Sequence, residues 1–220
     1  VPGEDSVGIC SANEFLTRVN LMRAWQPDAP TPLMDFRGRR VAVFGAGNTA
    51  IDSARTALRL GAGEVSIIYR RSEAEMPARR DEIEHAREEG IRFVFLAAPL
   101  RFLSDERGWL TAVELQRMRL GEPDESGRRS PQPIEGDVFT MEIERAVVAI
   151  GNAPNKLLAR TGGVEFTRRG TIQVDPESMQ TTRAGVFAGG DVVTGGATVI
   201  EAMRAGRKAA SAIHAWLSSK

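Results

Sequence analysis

The sequence contains very few of the residues that form disulfides, redox pairs and metal sites. Of its 220 residues, one is cysteine (Cys10) and two are histidine (His85 and His214). A single cysteine excludes an internal disulfide, a CxxC redox pair, and any zinc or iron–sulfur site ligated by cysteines of this chain. The two histidines lie in separate helical segments and do not indicate a metal pair. We therefore expect no metal site in this sequence.

An excess of charge and a long apolar segment are also lacking. Lys+Arg and Asp+Glu both number 29, so the net charge gives no indication of a nucleic acid or an acidic membrane surface as partner. No run of about 18 apolar residues occurs, and the first residues have no signal-peptide pattern. We expect a cytoplasmic protein that binds neither nucleic acid nor a membrane.

A strand, a glycine turn and a helix follow one another over residues 41–60. Gly45 permits a tight turn, and Gly47 lets the backbone come close to a pyrophosphate. Ala50 is a small residue at the position where the helix must pack closely on the strand. The amino terminus of the helix offers free N–H groups and the positive end of its dipole to phosphates. The pattern predicts a loop that binds a dinucleotide.

Two arginines follow the next predicted strand, about 20 residues after the glycine turn. A site for NAD usually has Asp or Glu at this point, which accepts hydrogen bonds from the ribose 2′-OH. Here the strand ends in Arg70 and Arg71, and the first carboxylate is Glu73. Guanidinium groups pair bidentately with phosphate oxygens, so the sequence favours NADPH over NADH. The alternative is that the two arginines form a solvated surface pair.

The order of the other predicted elements indicates an α/β fold with a Rossmann-like parallel sheet. Ser11 and Glu14 form a capping-box pattern at the start of an early helix, whose apolar positions continue to Trp25. Beyond the arginines, the pattern predicts a further helix and two buried strands, over residues 81–89, 91–96 and 146–150.

Between the last two parallel strands, the periodicity changes from helical to alternating. Residues 110–120 and 138–143 alternate apolar with polar side chains, which predicts an inserted three-stranded β-meander. The segment 121–133 is charged and rich in Pro and Ser, so we predict a mobile loop there. The last predicted elements are two short strands and a helix, over residues 171–174, 185–188 and 197–218.

Several segments resemble a known family of flavoprotein reductases with two dinucleotide-binding domains. Four blocks occur in the order found in those proteins: residues 45–48, 69–71, 149–151 and 189–191. Three more resemble the small (beta) subunit of NADPH-dependent glutamate synthase: residues 11–22, 76–78 and 201–207. Its relatives include the ferredoxin–NADP reductase partner subunit and the flavin/NADPH region of dihydropyrimidine dehydrogenase. The likeness covers nearly the whole chain.

The resemblance implies residues for two cofactors. Those implied for NADPH are Gly45, Gly47, Asn48, Thr49 and Ala50 at the pyrophosphate, Arg70 and Arg71 at the 2′-phosphate, and Ala149, Ile150 and Gly151 near the nicotinamide. Those implied for FAD are Gly190, Asp191, Thr198 and Val199. The helix that starts after Thr198 would place its amino terminus against a flavin oxygen, which stabilises negative charge on reduced flavin.

The implied activity is hydride transfer from NADPH to FAD, with electrons passing on to a subunit or iron–sulfur domain outside this chain. The protein would contribute no acid, base or nucleophile. The implied domains are a helical lead-in from the FAD domain (1–32), an NADPH-binding domain (33–150) and the C-terminal part of the FAD domain (151–220). The family's first glycine fingerprint and its cysteine-rich segment would precede Val1, so we expect this fragment to lose FAD.

Three other functions are alternatives to the reductase. The first is an isolated NADP(H)-binding module with no bound FAD and no redox activity of its own, and it stays open. A stand-alone short-chain dehydrogenase needs a tyrosine followed four residues later by lysine, but the only tyrosine, Tyr69, is followed there by Glu73. An enzyme of the thioredoxin reductase type needs a CxxC motif, which this sequence lacks.

Overall fold

The computed structural model describes residues 1–124, 127–151, 163–196 and 198–219. These residues divide into two compact units, Val1–Ile150 and Gly151–Lys220. The predicted first residue of the last helix, Ala197, lies outside the described residues.

A five-stranded parallel sheet forms the centre of the first unit. Its strands are, in chain order, β1 (Ile9–Ser11), β2 (Arg40–Phe44), β3 (Glu64–Tyr69), β4 (Arg92–Phe95) and β8 (Arg145–Val148). Their spatial order is β1-β8-β2-β3-β4, and every neighbouring pair is parallel. The central strands β2 and β3 are nearly continuous apolar runs, because a parallel sheet is covered on both faces.

Helices cover one face of this sheet. They are α1 (Ala12–Leu16), which continues into a π-helical turn (Thr17–Leu21), α2 (Asn48–Arg59) and α3 (Arg80–Glu88). The buried stripe of α2 has helical spacing and consists of small or aliphatic side chains, namely Ala50, Ile51, Ala54 and Ala57. They form one core cluster with the apolar residues of β2 and β3. The small alanines let α2 lie close to the sheet, as the sequence predicted.

A three-stranded antiparallel sheet covers the other face. Its strands are β5 (Ala97–Ser104), β6 (Leu110–Pro123) and β7 (Arg129–Glu142), paired in that order. Val113 and Leu115 of β6 form a second core cluster with Phe44 and Ile68 of the parallel sheet. The predicted α/β fold with an inserted β-meander is therefore confirmed.

The prediction of a mobile loop over 121–133 is wrong for most of its described residues. Strand β6 continues to Pro123, and β7 already begins at Arg129, with these two residues paired across the ladder. Residues 121–133 have the composition of a loop because the side chains on both faces of this hairpin end are mostly polar. Backbone pairing and ion pairs stabilise it instead of an apolar face.

The first helix is shorter than its apolar pattern predicted. Ser11 caps α1 as expected, since its Oγ accepts a hydrogen bond from the backbone N–H of Glu14 at 3.1 Å. Phe15 and Val19 are buried, but the π-helical turn ends at Leu21, and the side chain of Trp25 is exposed. Residues 9–16 nevertheless belong to the first unit, where β1 pairs with β8.

The second unit contains little regular strand among its described residues. The two predicted strands appear as isolated bridges, such as Phe166 with Ile172 and Gln180 with Phe187. The helices are α4 (Asp191–Thr194) and α5 (Val199–Ser218). Gly189 packs directly on α5, because a Cβ there would lie 2.9 Å from the Ala205 carbonyl oxygen. None of the described helices is long and apolar enough to cross a membrane.

Replacing Ile51 tests whether α2 is part of the core. Ile51 is fully buried between α2 and the parallel sheet, so Ile51→Ala should lower the free energy of unfolding by about 2–5 kcal/mol. Leu21 is 79% exposed, and Leu21→Ala should change it by less than about 0.5 kcal/mol. Urea unfolding followed by circular dichroism measures both. Equal losses would contradict the assignment of α2 to the core.

Candidate functional site

Three neighbouring strands of the parallel sheet end beside one another. Phe44, the last residue of β2, lies opposite Ile68 on β3 and Val148 on β8. The glycine turn (residues 45–47), the arginine pair and Ala149 therefore follow strands that end at the same edge. In open parallel sheets, ligands bind outside this carboxyl edge.

Gly45 lies in contact with the backbone that follows β8. Its φ is +128°, and a Cβ on it would lie 2.3 Å from the Ala149 carbonyl oxygen. The Gly45 N–H donates to the Ile68 carbonyl at 3.0 Å, and the Ala149 N–H donates to the Phe44 carbonyl at 2.8 Å. No side chain fits at this point of the turn.

Gly47 is the N-cap of α2 and leaves the amino terminus of that helix uncovered by a side-chain cap. A Cβ on Gly47 would meet only the Pro77 side chain, at 3.8 Å. The first N–H groups of a helix, here those of Asn48 and Thr49, have no partner within the helix. Ala50 is fully buried beneath them. The turn thus offers backbone donors and a positive dipole end above a closely packed base.

The start of α3 is tied to the glycine turn. The Asn48 Oδ1 accepts a hydrogen bond from the Arg79 N–H at 3.0 Å, and the Ala78 N–H donates to the Ala46 carbonyl at 3.2 Å. Arg79 and Arg80 are exposed at the start of α3. Sequence reasoning missed both arginines as neighbours of the turn. Their only signal was the 76–78 segment, which carried the family resemblance.

The two arginines after β3 have different surroundings. Arg70 is exposed and makes no side-chain hydrogen bond or ion pair with any residue that the structure describes. Arg71 is only 5% exposed. Its Nη2 lies 2.5 Å from Asp124 Oδ2, and its Nε donates to the Arg129 carbonyl at 2.7 Å. The structure therefore leaves Arg70 available to a ligand and engages Arg71 with the end of the β6–β7 hairpin.

A buried carboxylate holds the segment after Arg71. Glu75 accepts hydrogen bonds from Ser72 Oγ at 2.5 Å and from Arg129 Nε at 2.6 Å. Tyr69 Oη donates to the Glu75 carbonyl at 2.8 Å. Burial raises the pKa of Glu75, but the hydrogen bonds from Ser72 and Arg129 outweigh it, so the pKa lies below its usual value. Glu75 is therefore ionised at neutral pH and fixed in place.

The residues predicted for the nicotinamide end follow directly after β8. Ala149 lies against Gly45 of the glycine turn. The Ile150 side chain is exposed, and Gly151 has a φ of +90°. An exposed apolar side chain therefore follows β8 at the carboxyl edge of the sheet.

In the second unit, the predicted flavin residues lie at the starts of α4 and α5. Gly190 has a φ of +82° and is the N-cap of α4, and Asp191 is the first residue of that helix. Thr198 caps α5 in a capping box with Glu201. The Thr198 N–H donates to Glu201 Oε2 at 3.0 Å, so this amide is already paired. The Thr-x-x-Glu spacing was the signal for this cap, and sequence reasoning did not use it.

Residues 1–206 match the family described as "Pyridine nucleotide-disulphide oxidoreductase". The chain belongs to this family. It is 44% identical over 219 residues to the beta subunit of NADP(+)-dependent formate dehydrogenase from Moorella thermoacetica, covering 99% of this chain and 29% of the relative. It is 40% identical over 219 residues to a putative small chain of NADPH glutamate synthase from Cereibacter sphaeroides, covering 99% and 52%.

Two solved structures share the fold. FprA from Mycobacterium tuberculosis aligns with a TM-score of 0.76 at 18% identity, over 100% of this chain and 61% of FprA. Thioredoxin reductase from T. acidophilum aligns with a TM-score of 0.65 at 23% identity, over 84% and 54%. The chain spans about a third to a half of the curated relatives it matches. The predicted resemblance to the glutamate synthase small subunit is confirmed.

The single cysteine does not take part in the candidate site. Cys10 lies on β1, and burial raises the pKa of its thiol to about 12. The group is therefore a neutral thiol at physiological pH, and it has no second cysteine to pair with. Among the described residues, no cluster of His, Cys, Asp and Glu could hold a metal ion.

Replacing Gly45 tests the contact between the turn and Ala149. A Cβ at this φ would lie 2.3 Å from a carbonyl oxygen, so it cannot be accommodated without moving the backbone. Gly45→Ala should therefore lower the free energy of unfolding by more than about 3 kcal/mol, the upper end of the usual cost of backbone strain. Gly38 is the matched control, since it also has a positive φ but nothing within 4 Å of its Cβ position. Gly38→Ala should cost only about 1–2 kcal/mol. Urea unfolding compares them, and similar losses would show that the contact is not tight.

Proposed function

We propose that the chain is the NADPH-binding part, with a portion of the FAD-binding part, of a flavoprotein oxidoreductase that transfers hydride from NADPH to FAD. The observation that carries this proposal is the exposed guanidinium of Arg70 next to a glycine turn that opens α2. A carboxylate at that position would favour NADH, and an arginine favours the extra phosphate of NADPH. Family membership and relatives named for NADP(+) or NADPH support it.

The residues of the first unit fit three parts of NADPH. The pyrophosphate would lie over Gly45 and Gly47, where the backbone is bare and the N–H groups of Asn48 and Thr49 are available. Arg70 would pair with the 2′-phosphate. The nicotinamide end would lie towards Ile150, which follows the strand next to β2.

The residues of the second unit fit FAD only in part. Asp191 has the position expected of a group that hydrogen-bonds the ribityl or phosphate region. The Thr198 N–H is paired with Glu201, so a flavin oxygen would have to compete for it. FAD, when bound, accepts the hydride and passes electrons on, while the chain supplies position and electrostatics. We propose residues 33–150 for NADPH and 151–220 for FAD, with 1–32 as a helical lead-in from the FAD domain whose strand β1 pairs with β8 of the first unit.

Electron delivery to another subunit or an iron–sulfur domain is the further part of this proposal. Its support is that the relatives include beta subunits named for formate dehydrogenase and NADPH-Fe(3+) oxidoreductase. The alternative is an isolated NADP(H)-binding module without FAD. The paired Thr198 amide favours that alternative for a polypeptide of these 220 residues alone.

The colour of the purified 220-residue polypeptide separates the two functions. We expect a colourless preparation, because few residues of the chain are candidates for FAD and the Thr198 N–H is already paired with Glu201. The same preparation should bind NADPH better than NADH. The absorbance spectrum of the visible flavin bands measures bound FAD. A yellow preparation that keeps flavin through gel filtration would contradict the isolated module.

Replacing Arg70 tests the nucleotide assignment. One charge-assisted hydrogen bond to a phosphate contributes about 1.5–3 kcal/mol, so Arg70→Met should raise the Kd for NADPH by roughly 10- to 150-fold. The Kd for NADH, which has no 2′-phosphate, should stay within about threefold. Isothermal titration calorimetry with both nucleotides measures this change.

Arg92→Met is the control, because Arg92 is an exposed arginine at the opposite end of the sheet, where it pairs with Glu64. It should alter neither Kd. Equal weakening of NADPH and NADH by Arg70→Met would assign Arg70 another role and overturn the proposed nucleotide.

A further inference from the structure

The end of the β6–β7 hairpin is hydrogen-bonded to both ends of the segment that follows Arg70, at Arg71 and at Glu75. The Arg129 carbonyl and the Asp124 carboxylate accept from Arg71, while the Arg129 side chain donates to Glu75. The hairpin end is itself closed by backbone bonds, since the Asp124 N–H donates to the Arg128 carbonyl at 2.8 Å. The three bonds to Arg71 and Glu75 join residues more than fifty positions apart in the sequence.

Arg71 is also fixed through its backbone. Its carbonyl accepts from the Leu96 N–H at 3.1 Å, just past the end of β4. To reach a phosphate outside the sheet edge, its side chain would have to leave a buried site and break two charge-assisted bonds. The Arg71 side chain is buried, whereas that of Asp124 is 31% exposed, so the exchange would give up a well-formed, partly buried pair and its bond to the Arg129 carbonyl.

Arg70 is the immediate neighbour of this fixed residue. Its own side chain is exposed and unpaired within the described part of the chain, so only its backbone determines where the guanidinium can reach. That backbone lies between Tyr69, whose Oη is bonded to Glu75, and Arg71. Any loosening of Arg71 therefore widens the range of positions that the Arg70 guanidinium samples, and a preorganised donor binds better than a mobile one.

We infer that Arg71 is a positioning residue that clamps the β6–β7 hairpin to the end of β3, and that Arg70 alone of the pair contacts the 2′-phosphate. The hairpin end then sets nucleotide selectivity without touching the nucleotide. This inference rests on the proposed function and assigns to Asp124 and Arg129 a part in choosing NADPH.

The variant Asp124→Asn separates the two roles by the sign of its effect. If Arg71 bound the phosphate directly, removing its carboxylate partner would release it and strengthen NADPH binding. If Arg71 is a clamp, the weaker bond loosens the hairpin end, and the Kd for NADPH should rise roughly three- to tenfold with the Kd for NADH unchanged. Calorimetric titration of the purified protein with each nucleotide measures both values.

Asp137→Asn is the matched control. It removes the same charge from the same hairpin, but Asp137 belongs to an exposed pair with Arg117, whose atoms are 3.8 Å apart. Neither Kd should change with this variant. Equal shifts for Asp124→Asn and Asp137→Asn would attribute the effect to net charge and overturn the clamp.

A double-mutant cycle provides the second measurement. The quantity compared is the ratio of the Kd for NADH to the Kd for NADPH. In the Arg70→Met background, Arg71→Met should leave this ratio unchanged, because the clamp acts only through Arg70. A direct phosphate ligand would lower that ratio by a further factor of roughly ten or more. The ratio is insensitive to a loss of folded protein, which lowers the binding of both nucleotides alike. Should Arg71→Met not fold, Asp124→Asn still decides.

The outcomes distinguish this inference from the function on which it rests. A wild type that does not prefer NADPH overturns the proposed function and the inference with it. A wild type that prefers NADPH, together with tighter NADPH binding by Asp124→Asn, overturns the inference alone. A further fall of the ratio when Arg71→Met is added to Arg70→Met does the same.

Discussion

The close approach of Gly45 to the Ala149 carbonyl is the constraint on which the first unit depends. The turn after β2 passes directly over the backbone that leaves β8, and the space for even one carbon atom is missing. Hydrogen bonds from Gly45 to β3 and from Ala149 to β2 fix this arrangement on both sides. As a result, α2 starts at the carboxyl edge of the sheet and points its amino terminus outwards. A turn that ran further from β8 would need a longer loop and would aim the helix elsewhere.

Burial on both faces of the parallel sheet explains why the candidate site includes residues of the β-meander. Helices cover one face, and the long strands β6 and β7 cover the other and extend beyond it to the segment after β3. There the hairpin meets Arg71 and Glu75, which are both buried. Buried charges are stable only when they are paired, so the hairpin end supplies Asp124 and Arg129. The inserted sheet is therefore both a cover for the core and a support for the candidate site.

The elements that the sequence predicted well are those whose signals are local. The glycine turn and α2 (Asn48–Arg59) depend on neighbouring residues and on one helical stripe, and both were predicted to within about a residue. The hairpin end could not be predicted, because residues 121–133 have the composition of a loop and their partners are remote. For the same reason the sequence assigned one role to Arg70 and Arg71. Adjacent identical residues carry no signal of which one will be buried, since that depends on Asp124, 53 positions away.

The start of α5 shows how a helix terminus can be stable with and without a ligand. The Thr198 N–H donates to the Glu201 carboxylate. The hydrogen bonds that Glu201 accepts from Thr198 hold the pKa of the Glu201 carboxyl below its usual value. Glu201 therefore presents a negative charge to the positive end of the α5 dipole. An anionic oxygen of a ligand would replace one negative partner by another, so the helix would keep its cap throughout the exchange. Because the cap comes from the chain itself, α5 does not need a cofactor in order to form. A ligand oxygen that bonds the Thr198 N–H must therefore displace the Glu201 carboxylate, whereas one that bonds the next N–H groups of α5 need not.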